Sequence, residues 1–200
     1  QEVWAANIWH EPFLLKFDSI SDCVKGLTSI QRNWSTYFFD FHRRGHLIQK
    51  ALPHISAKLL TFPPVTKELP PLGSFTLLDQ NTALASAKCS SFKQNGQWLF
   101  VEDREGPPSR AYLKLWEALT RLGKYPGPGD TCLDLGASPG GWTWVINSLG
   151  AKTIAFDRSP LIPELMASPL VTFKQESAFS LDFSTYPEAK WLFCDVICYP

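Results

Sequence analysis

A glycine-rich turn between an apolar run and a helical pattern is the feature that most constrains the fold of this chain. The apolar run extends from Thr131 to Leu135, glycines follow at Gly136, Gly140 and Gly141, and the helical pattern covers Trp142 to Leu149. When a buried parallel strand enters a helix through a glycine turn, a ligand can approach the backbone outside the carboxyl end of the strand. The sequence therefore predicts an α/β fold with a ligand site at this loop.

Apolar runs before and after this loop alternate with helical or loop segments. The predicted helix Arg110 to Leu122 has Ser109 as its N-cap and Gly123 as its C-terminal stop. Further predicted strands cover Lys152 to Phe156, Leu170 to Phe173 and Trp191 to Val196. Strands that alternate with such crossovers indicate a doubly wound parallel sheet with helices on both faces.

The first 106 residues contain shorter elements that prolines interrupt. Proline-rich segments at 62–64 and 69–73 indicate a loop, and Gly106-Pro107-Pro108 marks the start of a second module. Helices are predicted at Ile20 to Ile30 and His46 to Leu52. Strands are predicted at Tyr37 to Phe41, Lys58 to Phe62, Phe75 to Leu78 and, after a Gln94-Asn95-Gly96 turn, Gln97 to Val101. We therefore expect a small α/β or α+β domain over residues 1–106 and a second domain over residues 107–200.

The spacing of the glycine loop separates it from two common nucleotide-binding loops. Ser138 stands where a dinucleotide loop has its second glycine, the one that lets a pyrophosphate approach. No lysine follows Gly141, so the loop does not match the phosphate-binding loop of nucleotide hydrolases either. We therefore expect a nucleoside-bearing ligand of another class.

Three carboxylates follow the predicted strands after the loop. Asp157 comes directly after the strand that ends at Phe156, Glu176 follows the third predicted strand, and Asp195 lies near the end of the fourth. A carboxylate at the position of Asp157 can accept hydrogen bonds from both hydroxyls of a ribose. Each acid alone could be a solvated loop residue, but the shared placement at one edge of the sheet indicates a nucleoside site.

The charge balance gives no overall attraction to a polyanion. Lysine and arginine total 19, and aspartate and glutamate also total 19, so the net field is weak. The sequence still allows a local basic surface formed by His42 to His46 together with Lys50 and Lys58. An ordinary solvated surface would show the same pattern.

Membrane and metal partners are not indicated by the sequence. No apolar run is long enough to span a bilayer, and the N-terminus lacks a secretory signal, which predicts a cytoplasmic protein without membrane contact. The five cysteines are scattered and include no C-x-x-C pair: Cys23, Cys89, Cys132, Cys194 and Cys198. This arrangement predicts neither a disulfide framework nor a metal site, and the sequence predicts nothing about oligomeric state.

Three segments of the second module carry a family resemblance. Residues 134–142, DLGASPGGW, resemble the D-L-G-A-x-P-G-G-W loop of the FtsJ-type RNA ribose methyltransferases, and residues 109–117, SRAYLKLWE, are similar to the S-R-x-x-x-K-L-x-E segment that precedes it. Residues 191–200 are similar to the W-x-x-C-D-M…P segment of one branch, the bacterial large-subunit ribosomal RNA methyltransferases that modify a cytidine. The resemblance covers residues 107–200, and residues 1–106 resemble no family that we can name.

The resemblance implies a Rossmann-like doubly wound domain that binds S-adenosylmethionine. It assigns the loop around the methionine part of the cofactor to six residues: Gly136, Ser138, Pro139, Gly140, Gly141 and Trp142. Asp157 would bind the ribose diol, and Glu176 the adenine amine, although the family more often has aspartate there. Asp195 would lie beside the sulfonium and the target hydroxyl. Lys114 would be the first lysine of the family's catalytic Lys-Asp-Lys-Glu set.

The implied activity is S-adenosylmethionine-dependent methylation of a ribose 2′-hydroxyl of RNA, with large-subunit ribosomal RNA as the substrate and an RNA-binding region in residues 1–106. The resemblance places the second lysine and the glutamate of the catalytic set after the Asp195 segment. We therefore expect the C-terminal part of the methyltransferase domain beyond Pro200, and no RNA methylation by these 200 residues alone.

Other interpretations stay open at this point. Arg110, Lys114, Glu117 and Arg121 share one helix face, and a solvated salt-bridged stripe has the same spacing. The domain could also be a methyltransferase-like module that binds RNA or cofactor without turnover, or a small-molecule methyltransferase, because a fold alone does not fix an activity.

Overall fold

The computed structural model describes residues 5–55, 58–64 and 71–196, and these form two compact units. The first unit contains residues 5–55, 58–60 and 71–99, and the second contains residues 61–64 and 100–196. Each unit has its own four-stranded sheet.

The first unit is a mixed sheet with two helices. Its elements are β1 (Trp9–His10), β2 (Phe13–Lys16), α1 (Ile20–Ile30), β3 (Trp34–Thr36), α2 (His42–Ala51), β4 (Gly73–Leu77), β5 (Thr82–Ser86) and β6 (Lys88–Cys89). The strand order is β2-β5-β4-β3, in which β3 and β4 are parallel and the other pairs are antiparallel. The short strands β1 and β6 form a separate antiparallel pair.

A continuous apolar core explains why the first unit is compact. Cys23 and Leu27 of α1 and Ile48 of α2 are fully buried together with Trp34 and Phe75 of the sheet. The Trp34 indole N–H donates to the backbone carbonyl of Leu27 at 2.9 Å, so the large buried ring leaves no unpaired donor in the core.

The predicted helix Ile20 to Ile30 is confirmed, but the predicted strand Tyr37 to Phe41 is wrong. The strand ends at Thr36, and Phe41 takes a left-handed backbone conformation with φ of 50° immediately before α2. The side chain of Phe38 stacks on His46 of α2 at 4.2 Å between ring centroids. The aromatic run is therefore the connection into the helix, which begins four residues earlier than predicted.

The predicted strands Lys58 to Phe62 and Gln97 to Val101 are also wrong. Between them we find the single backbone hydrogen bond from Leu60 N–H to the Leu99 carbonyl, 2.8 Å long. The Gln94-Asn95-Gly96 segment forms a 3₁₀ turn that connects no hairpin in the described residues, because the preceding strand β6 ends at Cys89 and pairs with β1. The predicted strand at Phe75 to Leu78 is present, displaced by one or two residues.

The second unit is a parallel sheet in which every neighbouring pair of strands runs the same way. Its helices and strands are α3 (Tyr112–Leu122), β7 (Thr131–Leu135), α4 (Gly141–Ser148), β8 (Lys152–Phe156), α5 (Pro163–Met166), β9 (Val171–Lys174) and β10 (Ala189–Cys194). The strand order is β10-β7-β8-β9. The parallel sheet predicted from the alternating apolar runs is confirmed.

The ends of these elements follow local sequence signals to different degrees. The bounds of β7 and β8 are as predicted, and Gly123 ends α3 with φ of 65°, as expected for a C-terminal glycine. Ser109 is not the N-cap of α3, because that helix begins after Ala111 without a side-chain cap. The strands predicted at 170–173 and 191–196 are displaced by one or two residues.

Both faces of the parallel sheet are covered. Leu133, Leu135 and Phe156 face a cluster that includes Leu181 and Tyr186 from the segment before β10. Ala137 and Ala155 pack in a second cluster with Leu161 and Leu165 from the α5 region. Burial on both faces accounts for the nearly continuous apolar sequence of β7.

Candidate functional site

The strand order places a topological switch point at the centre of the sheet. From β7 the chain moves outward through β8 to β9, and then returns to add β10 on the other side of β7. In open α/β sheets, ligands bind outside the carboxyl ends of the strands at such a point. A ligand site is therefore expected at the loop after β7 and at the residue after β10.

The glycine loop after β7 passes very close to its neighbours. Gly136 has φ of 75° and Gly140 has φ of 118°, conformations that favour glycine. A Cβ on Gly136 would lie 3.0 Å from the Val196 side chain, and one on Gly141 would lie 2.6 Å from Ser109 Oγ. The glycines thus let the loop pack between the end of β10 and the segment before α3.

Asp157 fixes the middle of this loop from the end of β8. One carboxylate oxygen accepts the backbone N–H of Ser138 at 3.0 Å, and the other accepts that of Ser159 at 2.9 Å. Ser138 Oγ donates to the Pro160 carbonyl at 2.9 Å, which ties the two loops together a second time. Each carboxylate oxygen can accept more than one hydrogen bond, so Asp157 can hold the loop and still accept from a ligand.

Asp134, next to the end of β7, is the buried acid of this region. Asp134 is 1% exposed, and its Oδ2 accepts a hydrogen bond from the hydroxyl of Thr143 in α4 at 2.6 Å. Burial raises the pKa of Asp134 to about 6; hydrogen bonds from Thr143 lower it, and the charges of Asp195 and Asp157 raise it. Three carboxylates therefore share one end of the sheet and favour a cation there.

The raised pKa of Asp134 predicts a pH-dependent effect of Asp134→Asn. Because the pKa of Asp134 is higher in the folded state than in the unfolded state, the protonated form of Asp134 stabilises the fold. This stabilisation is complete below pH 3.8, the ordinary pKa of the carboxyl, and is lost as the pH rises through about 6. Asparagine does not titrate and can still accept from Thr143. The free energy of unfolding of the variant minus that of the wild type should therefore increase between pH 4 and pH 7.5. We expect this increase to be about 2 to 3 kcal/mol, because each unit of pKa shift corresponds to about 1.4 kcal/mol.

Urea unfolding of both proteins at the two pH values measures this difference. Asp182→Asn is the matched control, because the Ser184 hydroxyl lowers the pKa of that exposed carboxyl and the difference should move in the opposite direction. A pH-independent difference for Asp134→Asn would show that Asp134 does not titrate in this range.

Lys114 of α3 reaches the same end of the sheet. Its Nζ lies 3.1 Å from both Oδ1 and Oδ2 of Asp195, the first residue after β10. On α3 itself Arg121 pairs with Glu117, and Arg110 pairs with Glu102 outside the helix. Arg121 and Glu117 therefore form an ordinary ion pair on the solvated face of α3. Lys114 instead contacts Asp195 at the switch point.

Glu176, Trp142 and Pro139 are the remaining predicted residues of the site. Glu176 follows β9 and is exposed, with its backbone N–H donating to the Lys174 carbonyl. Trp142 donates its indole N–H to the Ala111 carbonyl at 2.9 Å, and its ring lies edge-on to Phe193. Trp142 thus links α4 to the start of α3, and Pro139 is exposed in the loop between β7 and α4.

Asp134 and Thr143 are the two residues of this region that sequence reasoning missed as site residues. An ionisable residue inside an otherwise apolar strand is the signal that points to Asp134, since buried acids are uncommon without a partner. Nothing in the local sequence identifies Thr143 as that partner, because it comes from the facing side of the next helix.

Within the residues that the structure describes, no group of three or more histidine, cysteine, aspartate or glutamate side chains could hold a metal ion. No helix in these ranges is long and apolar enough to cross a bilayer.

Comparison with known proteins finds similarity over the second unit. Residues 107–198 match the family profile of the FtsJ-like methyltransferases, which confirms the resemblance carried by the glycine loop and the segment before α3. The match covers less than half of the chain. Residues 1–106 lie outside it.

Curated relatives match over the same part of the chain. The ribosomal RNA large subunit methyltransferase M of Halorhodospira halophila is 45% identical over 96 residues, or 46% of this chain and 28% of the relative. The proteins of the same name from Alkalilimnicola ehrlichii and Methylococcus capsulatus are 38% and 39% identical, and each match covers 46% of this chain and 27% of the relative. The chain thus spans little more than a quarter of the length of these relatives.

Proposed function

We propose that the FtsJ-like domain of residues 107–198 is the cofactor-binding part of a ribose 2′-O-methyltransferase that acts on RNA, and specifically on large-subunit ribosomal RNA. The parallel sheet, the glycine loop at its switch point and the names of the curated relatives support this proposal. The corresponding fold is a Rossmann-like doubly wound domain, and residues 1–106 would supply an accessory domain that contacts the RNA.

The observation that carries the proposal is the ion pair between Lys114 and Asp195 at the switch point. An exposed lysine–aspartate pair contributes little to stability, so stability does not explain why α3 and β10 are joined there. Both oxygens of Asp195 lie within hydrogen-bond distance of the same ammonium, which fixes the position of a cation beside the glycine loop. A cation held at this position can stabilise the negative charge that develops on an acceptor hydroxyl as its proton leaves.

The residues around the loop suit S-adenosylmethionine. The cofactor carries a sulfonium, an ammonium and a ribose diol, and the site offers the carboxylates of Asp157 and Asp195 at one end of the sheet, where the buried Asp134 adds to the negative field. Asp157 retains acceptor capacity for the ribose hydroxyls, and the backbone of Ser138 to Gly141 would hold the methionine part together with Gly136 and Trp142. Glu176 is the candidate for the adenine amine. When bound, the cofactor supplies an electrophilic methyl group.

The chain's own groups would act on the acceptor hydroxyl. Methyl transfer from a sulfonium is an in-line displacement, so the hydroxyl must be oriented and must lose its proton. The Lys114 ammonium can donate to the hydroxyl oxygen and stabilise the negative charge that develops on it. The proton would pass to the second lysine of the catalytic set, which the family resemblance places after the Asp195 segment. Asp195 holds the Lys114 Nζ and offsets its charge, which keeps the ammonium in place before substrate arrives.

The activity is tested by supplying methyl-labelled S-adenosylmethionine to the gene product that contains this sequence. We expect label in large-subunit ribosomal RNA, and nuclease digestion should release it as a 2′-O-methylnucleoside. Label on a base, or in the protein or small-molecule fraction, would exclude ribose methylation as the reaction.

A further inference from the structure

One face of α2 in the first unit is exposed and basic. His42, Arg43, His46, Leu47 and Lys50 are all exposed, and their spacing places them on adjoining positions of the helix. The opposite side of the helix carries the buried residues Gly45 and Ile48. We refer to the five exposed residues as the α2 face.

The charges of the α2 face are all of one sign. No acidic residue occurs in α2, whereas the solvated face of α3 mixes signs and pairs Glu117 with Arg121 at 2.8 Å. Among the described residues, neither Arg43 nor Lys50 forms an ion pair. An ordinary solvated helix face would gain stability from mixed signs, so the uniform charge indicates an anionic partner.

Aromatic rings adjoin these charges. Phe38 stacks on His46 with ring centroids 4.2 Å apart and lies nearly parallel to His42 at 6.1 Å. Tyr37 is 50% exposed and Phe39 is 75% exposed, although both are large apolar side chains. Flat rings next to unpaired cations match a partner that carries both π-systems and negative charges.

A groove at the start of α2 adds a second recognition element. It has a volume of about 470 Å³ and is lined by seven residues: Asp40, Phe41, His42, Arg43, Arg44, Leu47 and Gln80. Arg44 Nε is buried with no hydrogen-bond partner in the described part of the chain. Asp40 is the acid of the groove, and one of its oxygens already accepts the Phe41 N–H at 2.7 Å. The guanidinium of Arg44 lies over the Phe17 ring, 5.5 Å from its centroid, so the groove presents the exposed side chain of Arg43 as its cation and Asp40 as its acid.

We propose that the α2 face, with Tyr37, Phe39 and the adjoining groove, binds single-stranded RNA. Arg43 and Lys50 contact phosphates, and Phe39 stacks on an unpaired base. This inference rests on the proposed function, because RNA is the substrate of that activity, but the surface lies entirely in the first unit. RNA fits better than an acidic protein segment, since a protein segment would leave the exposed rings without stacking partners.

Fluorescence anisotropy with an unstructured, end-labelled RNA of about 16 nucleotides tests the surface on the 200-residue chain. The double variant Arg43→Ala with Lys50→Ala should bind about tenfold more weakly, and the slope of log affinity against log salt should fall by about 1.4, at about 0.7 per lost phosphate contact. Phe39→Ala should also weaken binding about tenfold through lost stacking. Lys25→Ala with Arg32→Ala removes two exposed basic residues elsewhere in the same unit and should change affinity by less than about twofold.

Wild-type affinity in the Arg43 and Lys50 double variant would overturn the proposal. Equal losses on RNA and heparin, with no effect of Phe39→Ala, would also overturn it, because the face would then be a general polyanion surface. Tighter binding to vesicles of anionic lipid than to RNA would assign the face to a membrane instead. Calorimetry with S-adenosylmethionine on the same variants separates the two hypotheses, because loss of RNA binding with unchanged cofactor binding confines the effect to the first unit.

Discussion

Asp157→Ala should weaken the binding of S-adenosylmethionine by about ten- to a hundredfold, since a hydrogen bond to a charged group contributes about 1.5 to 3 kcal/mol. Two effects combine in this variant. The ribose diol loses its acceptor, and the glycine loop and the loop after β8 each lose one backbone hydrogen bond to the carboxylate, donated by Ser138 and Ser159 respectively. Isothermal titration calorimetry on the purified chain measures the change.

Asp182→Ala is the matched control for this prediction. Asp182 accepts a backbone N–H from Ser184 at 2.9 Å, as Asp157 does from Ser159, but it lies in the exposed segment before β10. Its loss should leave cofactor affinity within about twofold of the wild type. Unchanged affinity in Asp157→Ala would remove that residue from the binding site.

Lys114→Ala should lower methyl transfer to RNA by about a hundredfold or more, in the range of an acid–base group that acts on the acceptor. Cofactor affinity should stay within about twofold of the wild type, because Lys114 would act on the acceptor hydroxyl and its Nζ pairs with Asp195 rather than with the glycine loop. Single-turnover rates and calorimetry, measured on the gene product that contains this sequence, separate the two quantities.

Lys190→Ala tests whether any lysine–aspartate pair on this sheet would give the same result. Lys190 pairs with Asp130 at 2.7 Å, at the opposite end of the neighbouring strands β7 and β10. Removal of this pair should leave the rate of methyl transfer within about twofold of the wild type. If Lys114→Ala also transfers methyl groups at the wild-type rate, Lys114 is only part of a solvated surface.

The central strands of the second unit could be predicted because the local signals are strong and agree. The runs that form β7 and β8 are short, apolar and bounded by turn residues, and a parallel sheet buries both faces of such strands. The carboxyl ends of parallel strands meet at one edge, so the proximity of Asp157 and Asp195 to the glycine loop followed from chain order alone.

The first unit was harder to predict because its strands have weak patterns. β5 consists mostly of small residues, Thr-Ala-Leu-Ala-Ser, and it forms because β2 and β4 pair with it on both sides. The aromatic run after Thr36 has high strand propensity, yet Phe38 packs on α2 instead. Such choices depend on tertiary neighbours that local propensity does not contain.

The hydrogen bonds at the candidate site were beyond sequence reasoning for a related reason. The spacing of Lys114 fits an ordinary solvated helix face, and only the fold brings it to Asp195, 81 residues away in the chain. The burial of Asp134 and its bond to Thr143 likewise depend on how α4 packs on β7. A resemblance can assign roles to such residues, but it does not show which of them touch.

Titration of the 200-residue chain with S-adenosylmethionine is the most direct test that the glycine loop and its carboxylates form a cofactor site. We predict that one molecule binds per chain, that S-adenosylhomocysteine competes for the same site, and that Asp157→Ala weakens both interactions. An absence of binding heat from protein whose circular dichroism shows an intact fold would contradict the account.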